Sequence, residues 1–513
     1  MIFRRACEIF VAISLLSPLF TSPLTAGQSG TSPDCEQIRS AIAEGLGELP
    51  SIQGVSVAVY SPDRPCALAF GVTDIDTQEP VTPDTSFYIA SSTKSMFALA
   101  LAALDARGEN DLDESIAEFA PSAPFSRKIQ TDRITLRHLL AMSSGIKNPA
   151  FVHRVAFSGE HTPEELWALI SATQRNRSRD IQLGKFRYTN WSYNLAARLI
   201  EEDRAKPWQD LLDEEIFSKL GMSRTSAYMS RATRENWSLA RPHATLEPDG
   251  VKRTYLEKVD STMHSAGGVI MSANDAVKWL ALFVDDGRVD GQQIFPADVI
   301  RSTRASLAKV DSEFAGFKRA HYGLGWYMGP YKDTENLLVH HFGGFSGARA
   351  HVSYMPDQDI GVAIFVNDSM VGSRFVDSVA QLIYDQALGI EGADTRYQDA
   401  IEGTRQWASD IRSRLRSLRG EIAERPWRLS AAKTGHVGTY THKEFGTVEV
   451  TYDNDTLTVR NGRMYSVAQP GTEANTVRVE LVPLEGEEIE FGYGRAGKVK
   501  NLTYKGVVFE RRN

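Results

Sequence analysis

With 513 residues, 42% of them apolar and 24% charged, the chain has the make-up of ordinary globular protein, exceeds one typical domain, and gives no sign of disorder. Its 57 basic and 65 acidic side chains leave a net charge of −8, which excludes the global basic field of a nucleic-acid-binding protein.

In chain order, the first segment is an address. "MIFRRACE" carries Arg4 and Arg5, "IFVAISLLSPLF" is a twelve-residue apolar stretch, and "TSPLTAG" offers Ala26 as a cleavage residue. Basic, apolar and small residues in that order predict a secretory signal over residues 1–26. The apolar stretch is short for a membrane span and broken by Pro18, although an uncleaved anchor is the alternative. Arg4-Arg5 also fits twin-arginine export. No later stretch approaches eighteen apolar residues, so a periplasmic or secreted protein without stable membrane insertion is expected. Cys7 leaves with the signal, and Cys35 and Cys66 remain. In an oxidising compartment they either form one disulfide, tying the first helix to the first hairpin, or stay two separate buried thiols.

"EQIRSAIAEGLGELP" predicts a helix, and "GVSVAVYSP" with "CALAFGVTDID" two strands joined through Pro62, Asp63 and Pro65. "YIASSTKSMFALALAALDARG" (88–108) passes from an extended approach into an Ala/Leu helix. Residues 109–310 read as mostly helical, for example "TPEELWALISATQ" and "NDAVKWLALFVDDG". Strands return with "HYGLGWYMG", "ENLLVHHFGG", "ARAHVSYMP" and "IGVAIFVND", closed by the helix "RFVDSVAQLIYDQAL". Strands, a helical block, then strands with a closing helix describe an α/β arrangement in which the ends of one sheet meet around inserted helices. The basic stretch "TRQWASDIRSRLRSLRGEIAERP" is expected to be a solvated helical linker over 391–432. Beyond it, eight short alternating strands with turn signals, Asn461-Gly462 among them, predict a small antiparallel β-barrel over 433–513.

Ser-x-x-Lys occurs at Ser91–Lys94, at Ser306–Lys309 and at Ser430–Lys433. Only the first stands at the start of a long helix. There, residues three apart share a face, so hydroxyl and amine can meet, and free backbone N–H groups are at hand for an oxyanion. Burial can lower the lysine enough for it to accept the serine proton. The second copy reads as a polar helical edge, and the third is stopped by Gly435 and Gly438. Lys433-Thr434-Gly435 is a literal Lys-Thr-Gly followed by Tyr452-Asp453-Asn454, but Asp453-Asn454 sits where a hairpin turn is expected.

"SFYIASSTKS", "ITLRHLLAMSSGI", "GKFRYTNWSYNLAARLIE", "SAGGVIMSANDAVKWL", "YGLGWYM" and "HHFGGFSGARAHVSYMPDQDIGVAIFVN" follow one another in an order that resembles the β-lactamase/penicillin-binding-protein-like serine hydrolases, closest to the class C β-lactamase, D-aminopeptidase and esterase branch. The resemblance covers about residues 40–390, and the last strands are similar to lipocalin-like accessory barrels. It implies a β-lactamase/transpeptidase-like α+β sandwich, an antiparallel sheet flanked by helices with an all-helical subdomain, over 27–390. It implies Ser91 as nucleophile, Lys94 as its base and Tyr188 as a shared general base. It implies Asn190 and His341 as substrate-binding, with Gly343 and Gly344 on the strand edging the site and the N–H groups of Ser91 and Gly344 forming the oxyanion hole. His341-Phe342-Gly343 stands where relatives carry Lys-Thr-Gly or His-x-Gly, so a permanent cation is missing there. Met142 occupies a position often held by histidine.

No cofactor and no metal are expected, since no third ligand joins His340 and His341 at a recognisable spacing. The partner is a small-molecule or peptide substrate. The expected function is a peptidase or amidase acting on small or linear peptides, D-residue peptides included. A carboxylesterase, a β-lactamase or DD-carboxypeptidase, and a non-catalytic binding or sensor protein are the alternatives.

Overall fold

The computed structural model describes residues 34–176 and 182–512, so the signal segment 1–26 and Cys7 lie outside the described residues. The chain opens with α1 (Cys35–Glu48), β1 (Gly54–Tyr60) and β2 (Cys66–Gly71). After α2 (Thr93–Ala106) come several short helices, then α3 (Asn190–Arg204) and α4 (Ala273–Val284). Next are β3 (Ala308–Phe314), β4 (Phe317–Tyr322), β5 (Tyr327–Pro330), β6 (Leu337–Phe345), β7 (Ala348–Met355) and β8 (Ile360–Val366). Helices α5 (Val371–Ala387) and α6 (Ala393–Glu424) follow. The first eight strands form one antiparallel sheet in the order β3-β4-β5-β6-β7-β8-β1-β2, so the first and last parts of this body meet at the β8–β1 seam.

That seam explains the apolar runs "GVSVAVY" and "IGVAIFV". Successive side chains point to opposite faces, and both faces are covered. Val55, Val57, Val59, Val362, Ile364 and Val366 pack with α1 and α5 in one core. Ala58, Ala350, Ala363 and Phe365 face the other core, shared with α2, α3 and α4. Helix α2 is apolar on every side, as a helix inside a core must be.

Cys35 at the start of α1 and Cys66 at the start of β2 are bridged, with Cα atoms 6.4 Å apart. Among the described residues no helix is long and apolar enough to cross a membrane.

The C-terminal strands are β9 (Gly438–His442), β10 (Gly446–Asp453), β11 (Thr456–Asn461), β12 (Met464–Val467), β13 (Gln469–Pro470), β14 (Thr476–Val482), β15 (Glu485–Tyr493), β16 (Val499–Tyr504) and β17 (Val507–Arg511). Their order, β12-β11-β10-β9-β17-β16-β15-β14-β13, is a barrel. The stretch "RMYSVAQ" reads as one strand but bends at Ala468. One half pairs with β11 and the other with β14, which brings the two sheet edges together.

Two further expectations change. Helix α6 is not a solvated linker: Tyr397, Ile401, Trp407 and Ile411 pack on the α1/α5 core. Its arginines reach the 245–248 segment, Arg412 donating to the Thr245 carbonyl at 3.1 Å and Arg419 pairing with Glu247 at 2.6 Å. The basic face is matched by fixed carbonyls and an acid, a pairing that a charge count does not reveal. The second Ser-x-x-Lys does not lie on a helical edge either, because its chain runs into β3.

The barrel is locked to the first body. Leu256 is buried in the barrel core, Tyr255 donates to the Leu481 carbonyl, and Phe157 and Phe345 pack against the same core. In return Phe445, from the β9–β10 turn, packs against the core around α2. Asn461 is fully buried and meets the ring of His153 at 2.5 Å. Leu256→Ala is therefore expected to cost about 2–5 kcal/mol in urea denaturation, as for a core leucine; a change below about 0.5 kcal/mol is what a surface residue gives.

Candidate active site

Residues Phe87 and Tyr88 pair with Ile270 and Met271, and the Ile89 N–H donates to Val269 O at 3.0 Å. The chain then turns sharply. Ala90 takes φ 46°, a left-handed conformation costing on the order of 1 kcal/mol at a non-glycine residue. A 3₁₀ turn, Ala90–Ser92, leads into α2. This places Ser91 part-exposed at the helix entrance, while Ser92 is buried and donates to the His341 carbonyl at 3.3 Å. No side chain caps α2 at Ser92, so the backbone N–H groups of its first turn are not claimed by a cap.

One turn on, Lys94 is fully buried. Its Nζ lies 2.9 Å from Ser91 Oγ, 2.9 Å from Asn190 Oδ1 and 2.5 Å from the Ala266 carbonyl oxygen. Among the described residues no carboxylate pairs with it. Desolvation accordingly holds its pKa well below that of a free lysine. A neutral amine donates two hydrogens and accepts one. It can keep Asn190 and Ala266 as acceptors while its lone pair receives the Ser91 proton.

Asn190 is the first residue of α3, whose N-cap Thr189 accepts from the Trp191 N–H at 3.2 Å. Tyr188 sits just before that cap. The residue is 36% exposed, and its phenol lies beside Ser91 and Lys94. Burial, then the neighbouring Tyr327 phenol, push its pKa up, and the Ser91 contact offsets this only in part. Tyr188 is thus a phenol at neutral pH, with Lys94 Nζ 4.9 Å from its ring centroid. Met142 supports the same loop: its Sδ accepts from the Thr189 N–H at 3.3 Å and its carbonyl from the Arg187 N–H at 2.7 Å.

His341 is buried, and its Nδ1 lies 2.8 Å from the Phe342 carbonyl, which fixes the proton on Nδ1. Burial keeps this imidazole neutral. The ring lies 6.1 Å from that of Tyr188. Gly343 is required by contact, since an added Cβ would strike the Ile89 carbonyl and crowd the Ser91 N–H. Gly344 follows on β6 and is exposed beside the cleft.

The structure thus brings Ser91, Lys94, Tyr188, Asn190, His341 and Gly343 around one point. Sequence reasoning missed the Ala266 carbonyl. It lies within the quoted "SAGGVIM", but any residue type supplies a carbonyl. It also missed Arg319, whose guanidinium lies 4.0 Å from the Tyr327 ring centroid and whose charge reaches Tyr188. The motifs at Ser306 and Ser430 are elsewhere. Lys309 is exposed and pairs with Asp311 at 3.3 Å, and Lys433 lies on the Trp427 ring and donates to the Asp455 carbonyl. Among the described residues no three His, Cys, Asp or Glu side chains are arranged to hold a metal ion.

A sequence model of the β-lactamase family matches residues 39–386. The chain belongs to the β-lactamase family of serine hydrolases. PbpX of Bacillus subtilis is 25% identical over 277 residues, 54% of this chain and 62% of its own length, so the match spans less than two thirds of that relative. The D-alanyl-D-alanine-carboxypeptidase/endopeptidase AmpH of Escherichia coli K12 is 23% identical over 328 residues, 62% of this chain and 80% of AmpH. Among solved structures, the octameric penicillin-binding protein homologue from Pyrococcus abyssi aligns with a TM-score of 0.58 at 22% identity, covering 93% of this chain and 99% of that one. The D-amino acid amidase from Ochrobactrum anthropi SV3 aligns with a TM-score of 0.55 at 22% identity, covering 72% and 99%. At these identities the structural likeness shows the fold.

Ser91→Ala is expected to abolish labelling by a fluorophosphonate probe, while Ser306→Ala and Ser430→Ala leave labelling intact; intact-protein mass spectrometry reads all three. Lys94→Met and Tyr188→Phe should each slow acylation on the order of 10²–10⁴-fold, and the double variant little more, as for parts of one relay. Losses that multiply in the double variant would assign the two residues to separate steps.

Proposed function

We propose that the chain is a peptidase or amidase that cleaves small or linear peptides, D-residue peptides included, through a Ser91 acyl-enzyme. The observation that carries this reading is the buried Lys94 amine, hydrogen-bonded to Ser91 and Asn190 with no carboxylate to hold it charged. Ser91 Oγ attacks the substrate carbonyl as its proton passes to Lys94, and the oxyanion is taken by the N–H groups of Ser91 and Gly344. As the C–N bond breaks, the proton moves from Lys94 through the Tyr188 hydroxyl to the leaving amine. Water then enters by the reverse route, giving up a proton to the relay and releasing the acid and Ser91. Asn190 orients both Lys94 and the substrate amide.

A neutral His341 provides no fixed cation for a β-lactam carboxylate, which supports a peptide or amide over a cephalosporin. The names of AmpH and of the D-amino acid amidase support the same bond type. The Cys35–Cys66 bridge supports an oxidising compartment, periplasmic or extracellular, after removal of residues 1–26. Residues 27–390 form the hydrolase unit in this reading, and the lipocalin-like barrel of 433–513 closes one wall of its cleft.

The test is a panel of D- and L-aminoacyl amides, short peptides, p-nitrophenyl esters and a chromogenic cephalosporin. Amides or peptides should show a kcat/KM at least about 100-fold above the cephalosporin. Turnover of esters alone would make the protein a carboxylesterase, and cephalosporin as the best substrate would restore the β-lactamase reading.

A further inference from the structure

Lys258 is the second lysine enclosed by this body, 7% exposed, and it takes no part in the relay described above. It ends the segment through which the first body contacts the barrel. Tyr255 and Leu256 point into the barrel, whereas Lys258 points back toward the site. Its Nζ donates to the Ala156 carbonyl at 2.6 Å and the Thr262 carbonyl at 3.4 Å. It lies 3.6 Å from the Phe345 ring centroid, with Tyr88 at 5.5 Å and Phe157 at 5.9 Å.

Those neighbours are the supports of the catalytic groups. Phe345 is the last residue of β6 and adjoins Gly344. Tyr88 precedes Ser91 by three residues, and its hydroxyl donates to the carbonyl of Gly267, next to the Ala266 that holds Lys94. Thr262 opens that same loop. Among the described residues no carboxylate pairs with Lys258. Glu257 is engaged by Arg241 at 3.1 Å and Arg253 at 2.7 Å, and Asp260 accepts from the Ser230 N–H at 3.0 Å. The other titratable groups beside it are the Tyr88 phenol, pushed up by burial, and His264, kept neutral by burial and by the Lys258 charge.

We propose that Lys258 is a positioning residue whose ammonium clamps the Phe345 end of β6 to the Ala156 and Thr262 carbonyls, holding the Gly344 N–H at the oxyanion position, so that acylation needs Lys258 charged. This rests on the serine-hydrolase reading of the Ser91 site. Physically, the aromatic face and both carbonyls favour a cation, and a desolvated cation–π contact is among the stronger ones. A deprotonated amine keeps at most weak donors and loses the ring contact. Burial lowers this lysine to about 7, so the charge is present below neutrality and lost as pH rises through that value. The relay runs the other way, since Lys94 must be neutral to accept the Ser91 proton.

The experiment is the burst of p-nitrophenyl acetate acylation measured from about pH 5.5 to 9.5 on the full chain. It compares wild type, Lys258→Arg and Lys258→Met, each checked as folded by circular dichroism. Wild type should lose acylation on an alkaline limb near neutrality. Arginine keeps its charge, so Lys258→Arg should restore a near-wild-type maximum and move that limb beyond pH ~9. Lys258→Met should acylate about 100-fold more slowly at its optimum, with KM changed less than about threefold and no alkaline limb. A wild-type rate that stays level to pH ~9 overturns the proposal, as does a Lys258→Met rate within about twofold of wild type with the limb unmoved. Should Lys258→Arg not fold, the wild-type and Lys258→Met profiles decide between these outcomes. Absence of any burst and of fluorophosphonate labelling at every pH overturns the serine-hydrolase reading itself, and this inference with it.

Discussion

Placing a lysine amine in a closed, carboxylate-free environment is unfavourable for its charged form, and the site around Ser91 is organised by that constraint. An isolated buried ammonium loses most of its hydration, and what the fold returns to Lys94 is three oxygens: the Ser91 hydroxyl, the Asn190 amide and the Ala266 carbonyl. That set satisfies an ammonium completely, yet it also suits a neutral amine, because the serine hydroxyl can reverse its role and donate. The lysine can therefore exist in either protonation state without an orphaned partner, which a proton acceptor in acyl transfer requires. A carboxylate in place of the Ala266 carbonyl would hold the charge on Lys94 and leave it no free lone pair near neutral pH.

Much of the surrounding structure maintains those three contacts. The left-handed Ala90 sets Ser91 at the helix entrance, and the pairing of Phe87–Tyr88 with Ile270–Met271 joins the approach to Ser91 to the chain leaving the Ala266 loop. Thr189 caps the helix that carries Asn190 and is itself held by Met142. From the far side, the barrel presses on Phe345 and Phe157 and takes Leu256 into its own core. The barrel thus bears on the strand that edges the site.

The parts legible in the sequence were those encoded by side-chain type and spacing. Ser91 and Lys94 sit three apart before an Ala/Leu helix, and the "GVSVAVY" and "IGVAIFV" runs announce strands. Alternation after Ala432 showed a barrel, although the bend at Ala468 divides one expected strand in two, since a bend at an alanine leaves no compositional mark. What remained illegible depends on tertiary partners. Lys258 lies in "VKRTYLEKVD", inside the block read only as mostly helical, because a lysine becomes a buried cation only once Phe345 and the Ala156 and Thr262 carbonyls surround it. The arginines of α6 looked solvated for the same reason. Asn461, a turn signal by composition, is buried against His153 and couples the two bodies.

The central claim is that Lys94 is uncharged at the pH where the protein works, and the most direct measurement is the titration of its own Nζ. Lysine side chains labelled with ¹³C at the ε-methylene report their charge by NMR, and Lys94→Met assigns the resonance. The Lys94 signal is expected to titrate well below the ~10.4 of solvated lysines and to have lost its proton while the exposed lysines keep theirs. A Lys94 resonance that titrates together with the exposed lysines would contradict it.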